Sequence, residues 1–403
     1  MARGERLIAR DLARKSSLAA DDSTRRSTSL RVGSNDSPTA PTPEPTEIEV
    51  AQVVIGEHYD YFPGTVYHEQ ATVESIDLSA YREEVFTVEA DTRGHRVRVG
   101  LYRGRVDLNR WWGDSADLTR ETEFVSNPSI EVLLSPNLGA YSIVYSTRPV
   151  EFGTPELLEI TRTLSVKWPK YPTDWSRRFV TEFWTFPDEI LNALVDPPQF
   201  NEDMNRQYSA LRDLVGRESD CLDVDGHIRL VVEDISPYCG LAGNPIRMDP
   251  VCMPVDVLNS GNPGWGPAHE LGHDFAGSAS YHFGEAAVEG WANFMAFYAY
   301  DNGIFINSDY DREYWANVWE TSPKPTDIFQ GLIVRLSHQH TWEVARVFFR
   351  KYLAADPARD GDNTARRRQA VRYLAESVEE VTGRRADYDY VVEYLALRGF
   401  PRP

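Results

Sequence analysis

Cysteine is scarce in this sequence, which excludes a protein built on disulfides. The 403 residues include three cysteines, Cys221, Cys239 and Cys252, and no Cys-x-x-Cys pair. Small disulfide scaffolds are much richer in cysteine, and thiolate zinc sites or redox motifs use closely paired cysteines. One cysteine must therefore stay unpaired within the chain. Cys239 can pair with Cys252 only if the fold brings the two together.

Basic residues and long apolar runs are also few. Lys and Arg number 42 against 62 Asp and Glu, so the net charge is −20. A surface this acidic repels phosphate backbones, and we expect no nucleic-acid partner. The apolar run at 294–300 is about a third of the roughly 20 residues that span a bilayer, so we expect no membrane span. Residues 1–17 contain no apolar core of a secretory signal, which predicts a cytoplasmic location.

The front of the chain divides into a tail and a β-rich domain. Residues 1–46 are rich in Ser, Thr, Pro and charge, which predicts a disordered tail. Residues 47–150 alternate polar and apolar side chains, which is typical of strands and predicts a β-sandwich-like domain. We predict two β-hairpins in it, one with its turn at 91–94 and one with its turn at 136–139.

The rest of the chain, residues 151–403, is predicted to be one domain with a helical C-terminal part. Apolar residues at steps of three and four predict helices at 205–215, 343–353 and 364–381. A strand is predicted at 227–233. The predicted fold class is therefore α+β. Asp223 and Asp225 hint at a calcium loop, but the residues at its first and last ligand positions are wrong for it.

A metal-binding pattern lies in this second part. His269-Glu270-x-x-His273 places two imidazoles four residues apart, on one face of a helix. Two such histidines can share a zinc ion. Glu270 is then placed to accept a proton from water, whose pKa zinc lowers to about 7. Pro267 suits the first turn of this helix, because its missing N–H would be unpaired there.

A catalytic zinc site needs a third protein ligand, and the next predicted helix offers two candidates. Glu285 and Glu289 lie four residues apart, so either can complete a His₂Glu site. Asn293 follows Glu289 by one turn and can anchor the second N–H of a ligating imidazole. The arrangement with Glu285 as the ligand and Glu289 as the anchor is geometrically similar. The residues alone leave both arrangements open.

These motifs resemble the enhancin-like zinc metallopeptidases, a gluzincin family that includes viral enhancins and bacterial mucinases. The specific match is Trp265, the His269–His273 motif and Glu289-x-x-x-Asn293. Weaker similarity extends over about residues 55–401, in the stretches 62–64, 97–100, 137–144, 229–233, 243–246, 331–352 and 394–401. The resemblance implies an N-terminal β-domain and a gluzincin-type catalytic domain. It also implies one zinc ion per chain, with Glu289 as its third ligand.

The resemblance further implies hydrolysis of peptide bonds in O-glycosylated, mucin-type proteins, work that this family does mostly outside the cell. The expected partner is thus a protein or glycoprotein substrate. Two departures bear on the substrate: Asp274 stands where the family commonly has Asn, and Asn244 where it has Tyr. Two alternatives are a gluzincin peptidase for unglycosylated peptides and a zinc-containing binding protein that has lost catalysis.

Overall fold

The computed structural model describes residues 45–56, 58–61, 68–81, 83–106, 118–147, 157–169, 171–194, 197–253, 265–276, 288–304, 312–354 and 363–403. The predicted tail lies outside these residues except for its last two. The fold is mixed α+β, as predicted. It has two compact units: one is the described part of Ser27–Thr185 with Asp223–Arg229, and the other is the described part of Phe186–Leu222 with Leu230–Pro403.

Antiparallel strands make up most of the first unit. They are β1 Thr46–Ile55, β2 His58–Tyr61, β3 His68–Asp77, β4 Val85–Asp91, β5 Arg96–Arg103, β6 Leu118–Glu121, β7 Val125–Ser126, β8 Ser129–Leu133, β9 Ala140–Thr147, β10 Leu158–Lys167 and β11 Phe179–Thr181. One sheet has the order β1-β10-β4-β8, and the other has the order β2-β3-β9-β5-β6 with β7 beside β5. Strand β10 follows residue 150 and pairs with both β1 and β4.

Both sheets contribute to a single hydrophobic cluster. Alternate residues of each strand point toward it, because successive side chains of a strand lie on opposite faces. Val88 and Leu164 come from the first sheet, and Val99 and Ile143 come from the second; all four are buried. This period-two pattern is the reason that the strands could be predicted from the sequence.

The two predicted hairpins are wrong, although their strands exist. Strand β4 pairs with β10 and β8, whereas β5 pairs with β9, β6 and β7 of the other sheet. Likewise β8 pairs with β4, and β9 pairs with β3 and β5. The turns at 91–94 and 136–139 therefore carry the chain from one sheet to the other. Alternation identifies a half-buried strand, but it contains no information on which strand lies beside it.

A buried ionic network holds residues 223–229 in the first unit. The Arg103 guanidinium lies 2.7 Å from carboxylate oxygens of both Asp223 and Asp225. Arg229 pairs with Glu182 at 3.0 Å, and every one of these side chains is less than 10% exposed. The two aspartates of the calcium-like pattern thus bind an arginine.

Helices dominate the second unit, in agreement with the predicted C-terminal helical part. They are α1 Asp188–Ala193, α2 Pro197–Val215, α3 Trp265–Ala276, α4 Val288–Ala299, α5 Arg312–Glu320, α6 Pro325–Gln339, α7 Glu343–Ala354, α8 Asn363–Thr382 and α9 Arg385–Ala396. Three short strands accompany them: β12 Ile228–Val232, of which only residues 230–232 belong to this unit, β13 Gly240–Leu241 and β14 Ile246–Met248. Strand β14 runs parallel to β12 and antiparallel to β13. The predicted helices at 205–215, 343–353 and 364–381 and the strand at 227–233 are confirmed.

Helix α4 runs through an aromatic core. Phe294 is fully buried. Its ring lies 5.7–6.3 Å from the rings of Trp291, Trp319, Trp342 and Phe349, measured between centroids. Rings at these distances pack edge to face or tilted, and each buries a large apolar area. The core fixes α4 against the helices that follow it. Across the described part of the chain, no helix has the length and apolar character needed to cross a membrane.

Candidate metal centre

Helix α3 carries the His269–His273 motif, and α4 packs directly against it. Gly272 makes this close approach possible, because a Cβ atom at this position would lie 2.6 Å from the backbone oxygen of Ala292. Positions 269 and 273 face α4, and positions 289 and 293 of α4 face α3. Each pair is four residues apart and so lies on one helix face. The helix predicted around the motif is confirmed.

Three potential ligand atoms meet between the two helices. The Nε2 atom of His269 lies 3.1 Å from Nε2 of His273 and 3.1 Å from Oε2 of Glu289. His273 Nε2 lies 3.6 Å from the other carboxylate oxygen of Glu289. Both imidazoles are 14% exposed and Glu289 is 59% exposed. The cluster is therefore partly buried but open to solvent on the Glu289 side.

Asn293 fixes the orientation and the tautomer of His269. Its Oδ1 atom lies 3.0 Å from Nδ1 of His269. An amide oxygen can only accept, so Nδ1 carries the proton and donates it. In the neutral imidazole, Nε2 then has a free lone pair directed at Glu289 and His273, and in the protonated ring the same Nε2 donates to Glu289. This is the anchoring that metal-ligating histidines usually have.

The donor set fits a zinc ion. Tetrahedral ligands with zinc bonds of about 2.0–2.1 Å lie about 3.3–3.4 Å apart. The two Nε2 atoms lie 3.1 Å apart, and the nearest carboxylate oxygens of Glu289 lie 3.1 Å from His269 (Oε2) and 3.6 Å from His273 (Oε1). A proton on one nitrogen can satisfy one of these contacts, whereas a cation can satisfy all three. Two nitrogens and one carboxylate oxygen are the ligand types that zinc prefers in catalytic sites.

The electrostatics of the cluster also favour a cation. Burial acts to lower the pKa of His269, but the hydrogen bond to Glu289 and the charges of Glu270 and Glu289 raise that pKa above its ordinary value. Hydrogen bonds from both histidines hold the pKa of Glu289 far below its usual range. The carboxylate of Glu289 is thus charged and the imidazoles lie in a negative potential. Both conditions stabilise positive charge at this point.

Glu270 directly follows His269 on α3, and its carboxyl group packs against Gly240. It is 8% exposed, and its carboxylate accepts a hydrogen bond from the backbone N–H of Ala242. Burial raises the pKa of Glu270, while the neighbouring histidines act to lower it. A carboxylate with a raised pKa is a stronger proton acceptor.

Asp274 is a residue of this region to which the sequence assigned no role beyond its departure from the family pattern. It lies one turn after Glu270, is 5% exposed and accepts a 2.8 Å hydrogen bond from the backbone N–H of Gly243. Burial raises the pKa of Asp274 to about 8, although the Gly243 N–H and the Cys221 thiol oppose this effect. The sequence offers one weak signal for the contact between Gly243 and Asp274. The 240–243 loop contains two glycines, and Asp274 is an acidic residue on the helix of the motif.

The remaining residues named in the sequence analysis are the alternative third ligand and the three cysteines. Glu285, the alternative third ligand, lies outside the described residues. Cys239 and Cys252 form a disulfide, so the fold does bring them together, and Cys221 is the free cysteine.

The chain is thus a mixed α+β protein with a His-His-Glu cluster on two packed helices. No protein-family profile matches it, and no curated protein is similar to it. A solved structure of a functionally unknown conserved protein from Bacillus anthracis str. Ames is similar over 88% of this chain and 80% of that chain, with 12% identity and a TM-score of 0.40. A structure of carbohydrate-binding modules from the beta-sandwich superfamily is similar over 31% of this chain and 56% of that chain, with 9% identity and a TM-score of 0.16. Neither similarity is close enough to indicate a function.

Proposed function

We propose that this protein is a zinc-dependent metallopeptidase of the enhancin-like, gluzincin type. In this proposal, a β-sandwich-like domain precedes a gluzincin-type catalytic domain, and the substrate is a protein carrying O-linked glycans. One observation carries the proposal. Three ligand atoms of His269, His273 and Glu289 all lie within 4.8 Å of one another, with Glu270 on the same helix.

The proposed ligands divide between the two helices. His269 and His273 would hold zinc through their Nε2 atoms, and Glu289 would hold it through its carboxylate. Asn293 keeps the Nε2 lone pair of His269 available by accepting a hydrogen bond from Nδ1–H. When bound, zinc would polarise the scissile carbonyl and lower the pKa of water.

Glu270 is the proposed general base. Its carboxylate would take a proton from the attacking water as the oxygen bonds to the carbonyl carbon. It would then deliver that proton to the leaving amine nitrogen as the peptide bond breaks. Its near-complete burial, at 8% exposure, limits competition from bulk solvent for this proton.

Two measurements test the metal and the base separately. Elemental analysis of the purified protein should give about one zinc per chain. Glu270→Gln should retain this zinc, because Glu270 is not a ligand, and should lose hydrolysis by a factor of at least about 100. Full hydrolysis by Glu270→Gln would refute the assignment of the base.

A matched pair of variants tests the third ligand. Glu289→Ala should empty the site, since it removes one of three ligands, while Glu285→Ala should keep about one zinc per chain. Both changes remove one carboxylate from the same short segment, so a difference in metal content reports on ligation rather than charge. The reverse result would make Glu285 the ligand.

The substrate class needs a separate experiment. A mucin-type glycoprotein is digested before and after enzymatic removal of its glycans, and the cuts are mapped by mass spectrometry. Cleavage only of the glycosylated form is the expected result. Equal cleavage of both forms would indicate a gluzincin peptidase for unglycosylated peptides. No cleavage by zinc-loaded protein would indicate the binding protein without catalysis.

A further inference from the structure

Two carboxylates of α3 are held by successive amides of one loop. Glu270 and Asp274 lie one turn apart, on a stripe of the helix next to that of the histidines. The 240–243 loop, which begins with strand β13, faces this stripe. The Ala242 N–H donates to Glu270, and the Gly243 N–H donates to Asp274 Oδ1 at 2.8 Å. The position of one amide is therefore coupled to the position of the next.

The same loop also limits the space around Glu270. A Cβ atom added to Gly240 would lie 2.4 Å from Oε1 of Glu270 and 2.7 Å from its Cδ and Cγ atoms. The α-carbon of Gly240 thus packs directly on the carboxyl group. With this contact on one side and the Ala242 N–H as a donor, the Glu270 carboxylate has little freedom to move while the loop stays in place.

The contacts of Asp274 hold that loop in place. Its carboxylate lies beside the thiol of Cys221, and its backbone oxygen accepts a 2.9 Å hydrogen bond from Ser219 Oγ. Asn244, directly after the loop, donates to the backbone oxygen of Cys221 at 2.9 Å. The 219–221 segment, Asp274 and the loop thus form one hydrogen-bonded unit behind the general base.

We propose that Asp274 is a positioning residue for Glu270. It does not touch the reacting atoms; it fixes the 240–243 loop, and the loop fixes the carboxylate of Glu270. This inference rests on the proposed peptidase function. It requires a hydrogen-bond acceptor at position 274, and an amide oxygen would serve as well as a carboxylate.

The test compares Asp274→Leu with Asp274→Asn, which differ in whether they keep the acceptor. Asp274→Leu should lower kcat by about 10- to 100-fold, because small displacements of a reacting group have effects of this size. KM and zinc content should stay unchanged. Asp274→Asn should keep kcat within about threefold of the wild-type value. In the metal-free protein, hydrogen exchange of the peptide covering 240–243 should accelerate in Asp274→Leu and not in Asp274→Asn.

A second variant acts on the loop itself. Gly240→Ala should lower kcat with zinc retained, since the added methyl group displaces the Glu270 carboxylate. Gly266→Ala is the matched control: its methyl group would meet the end of the flexible Met248 side chain, so kcat should not change. If Asp274→Leu does not fold, Gly240→Ala decides the matter, and an unchanged kcat there overturns the proposal.

Besides an unchanged kcat in Gly240→Ala, three outcomes overturn the inference. They are a wild-type kcat for folded Asp274→Leu, equal losses in the Leu and Asn variants, and loss of zinc in Asp274→Leu. Failure of the underlying function gives a different result, because the zinc-loaded wild-type protein would then hydrolyse no peptide, or Glu270→Gln would be as active as the wild type. Hydrogen exchange of the peptide covering 240–243 shows whether Asp274 holds the loop, whether or not the protein is a peptidase.

Discussion

The close contact between α3 and α4 at Gly272 leads to a prediction about metal affinity. In Gly272→Ala, the new methyl carbon would lie 2.6 Å from the Ala292 oxygen and 3.1 Å from Cβ of Met295. These are backbone and side-chain stem atoms, which cannot rotate away. Ordinary contacts begin at 3.4 Å, so α4 must move by about 0.8 Å.

The expected change in stability follows from two opposing free-energy contributions, and the expected change in zinc affinity follows from one distance. Alanine is favoured over glycine inside a helix by about 0.8–1.0 kcal/mol, and overpacking a tight interface costs about 1–3 kcal/mol. The free energy of unfolding should therefore fall by about 0–2 kcal/mol. A shift of α4 carries Glu289 away from His269 and widens their 3.1 Å contact to about 3.9 Å. Zinc affinity should fall by at least about 10-fold.

Zinc affinity can be measured by competition with a chromogenic chelator, alongside thermal unfolding of each variant. Gly266→Ala is again the control, since it adds the same methyl group to the same helix without touching α4 backbone. We expect it to bind zinc as the wild type does. A folded Gly272→Ala protein with wild-type zinc affinity would refute the reasoning that this contact sets the ligand spacing.

Three further predictions concern stability. Arg103→Met leaves buried Asp225 without its arginine and buried Asp223 with only the 3.8 Å contact to Arg229, and it should lower the free energy of unfolding by about 3–5 kcal/mol in urea titrations; a loss below about 1 kcal/mol would contradict this. Replacing Cys239 and Cys252 together by Ser opens a loop with a sequence separation of 13 and should cost about 3 kcal/mol, and a reductant should then have no further effect. Phe294→Ala removes a ring packed among four others and should cost about 3–5 kcal/mol, measured by thermal unfolding; a near-native melting temperature would show that the core repacks.

Much of the local structure could be predicted from the sequence, and the strand pairing could not. Period-two alternation in the sequence identified β4, β5, β8 and β9, although consecutive residues of β5 and β9 are buried on both faces. The partner of each strand depends on contacts between distant residues, such as β10 with β4. The turn at 91–94 has the composition of a hairpin turn, yet it connects two sheets. Turn composition alone does not separate these two uses.

Some features of the candidate site could likewise be predicted from the sequence, and others could not. The spacing of His269 and His273 directly predicted their shared helix face, because helical geometry requires it. The choice between Glu285 and Glu289 needed information beyond spacing, and the structure places Glu289 beside both histidines. The support of Glu270 by the 240–243 loop has no sequence pattern. It arises from a tertiary contact between segments about 30 residues apart.

Residues 223–229 belong to the first unit, although residues 186–222 before them belong to the second. This affects how fragments of the protein can be made. A fragment ending before residue 223 would keep Arg103 but lose both carboxylates that neutralise it, leaving a buried guanidinium without its counterions. A fragment that starts after residue 185 would carry those two aspartates without their arginine. A single cut between residues 185 and 223 therefore leaves each fragment with charged groups that have lost their partners. Activity and binding assays should therefore use a chain that contains both units.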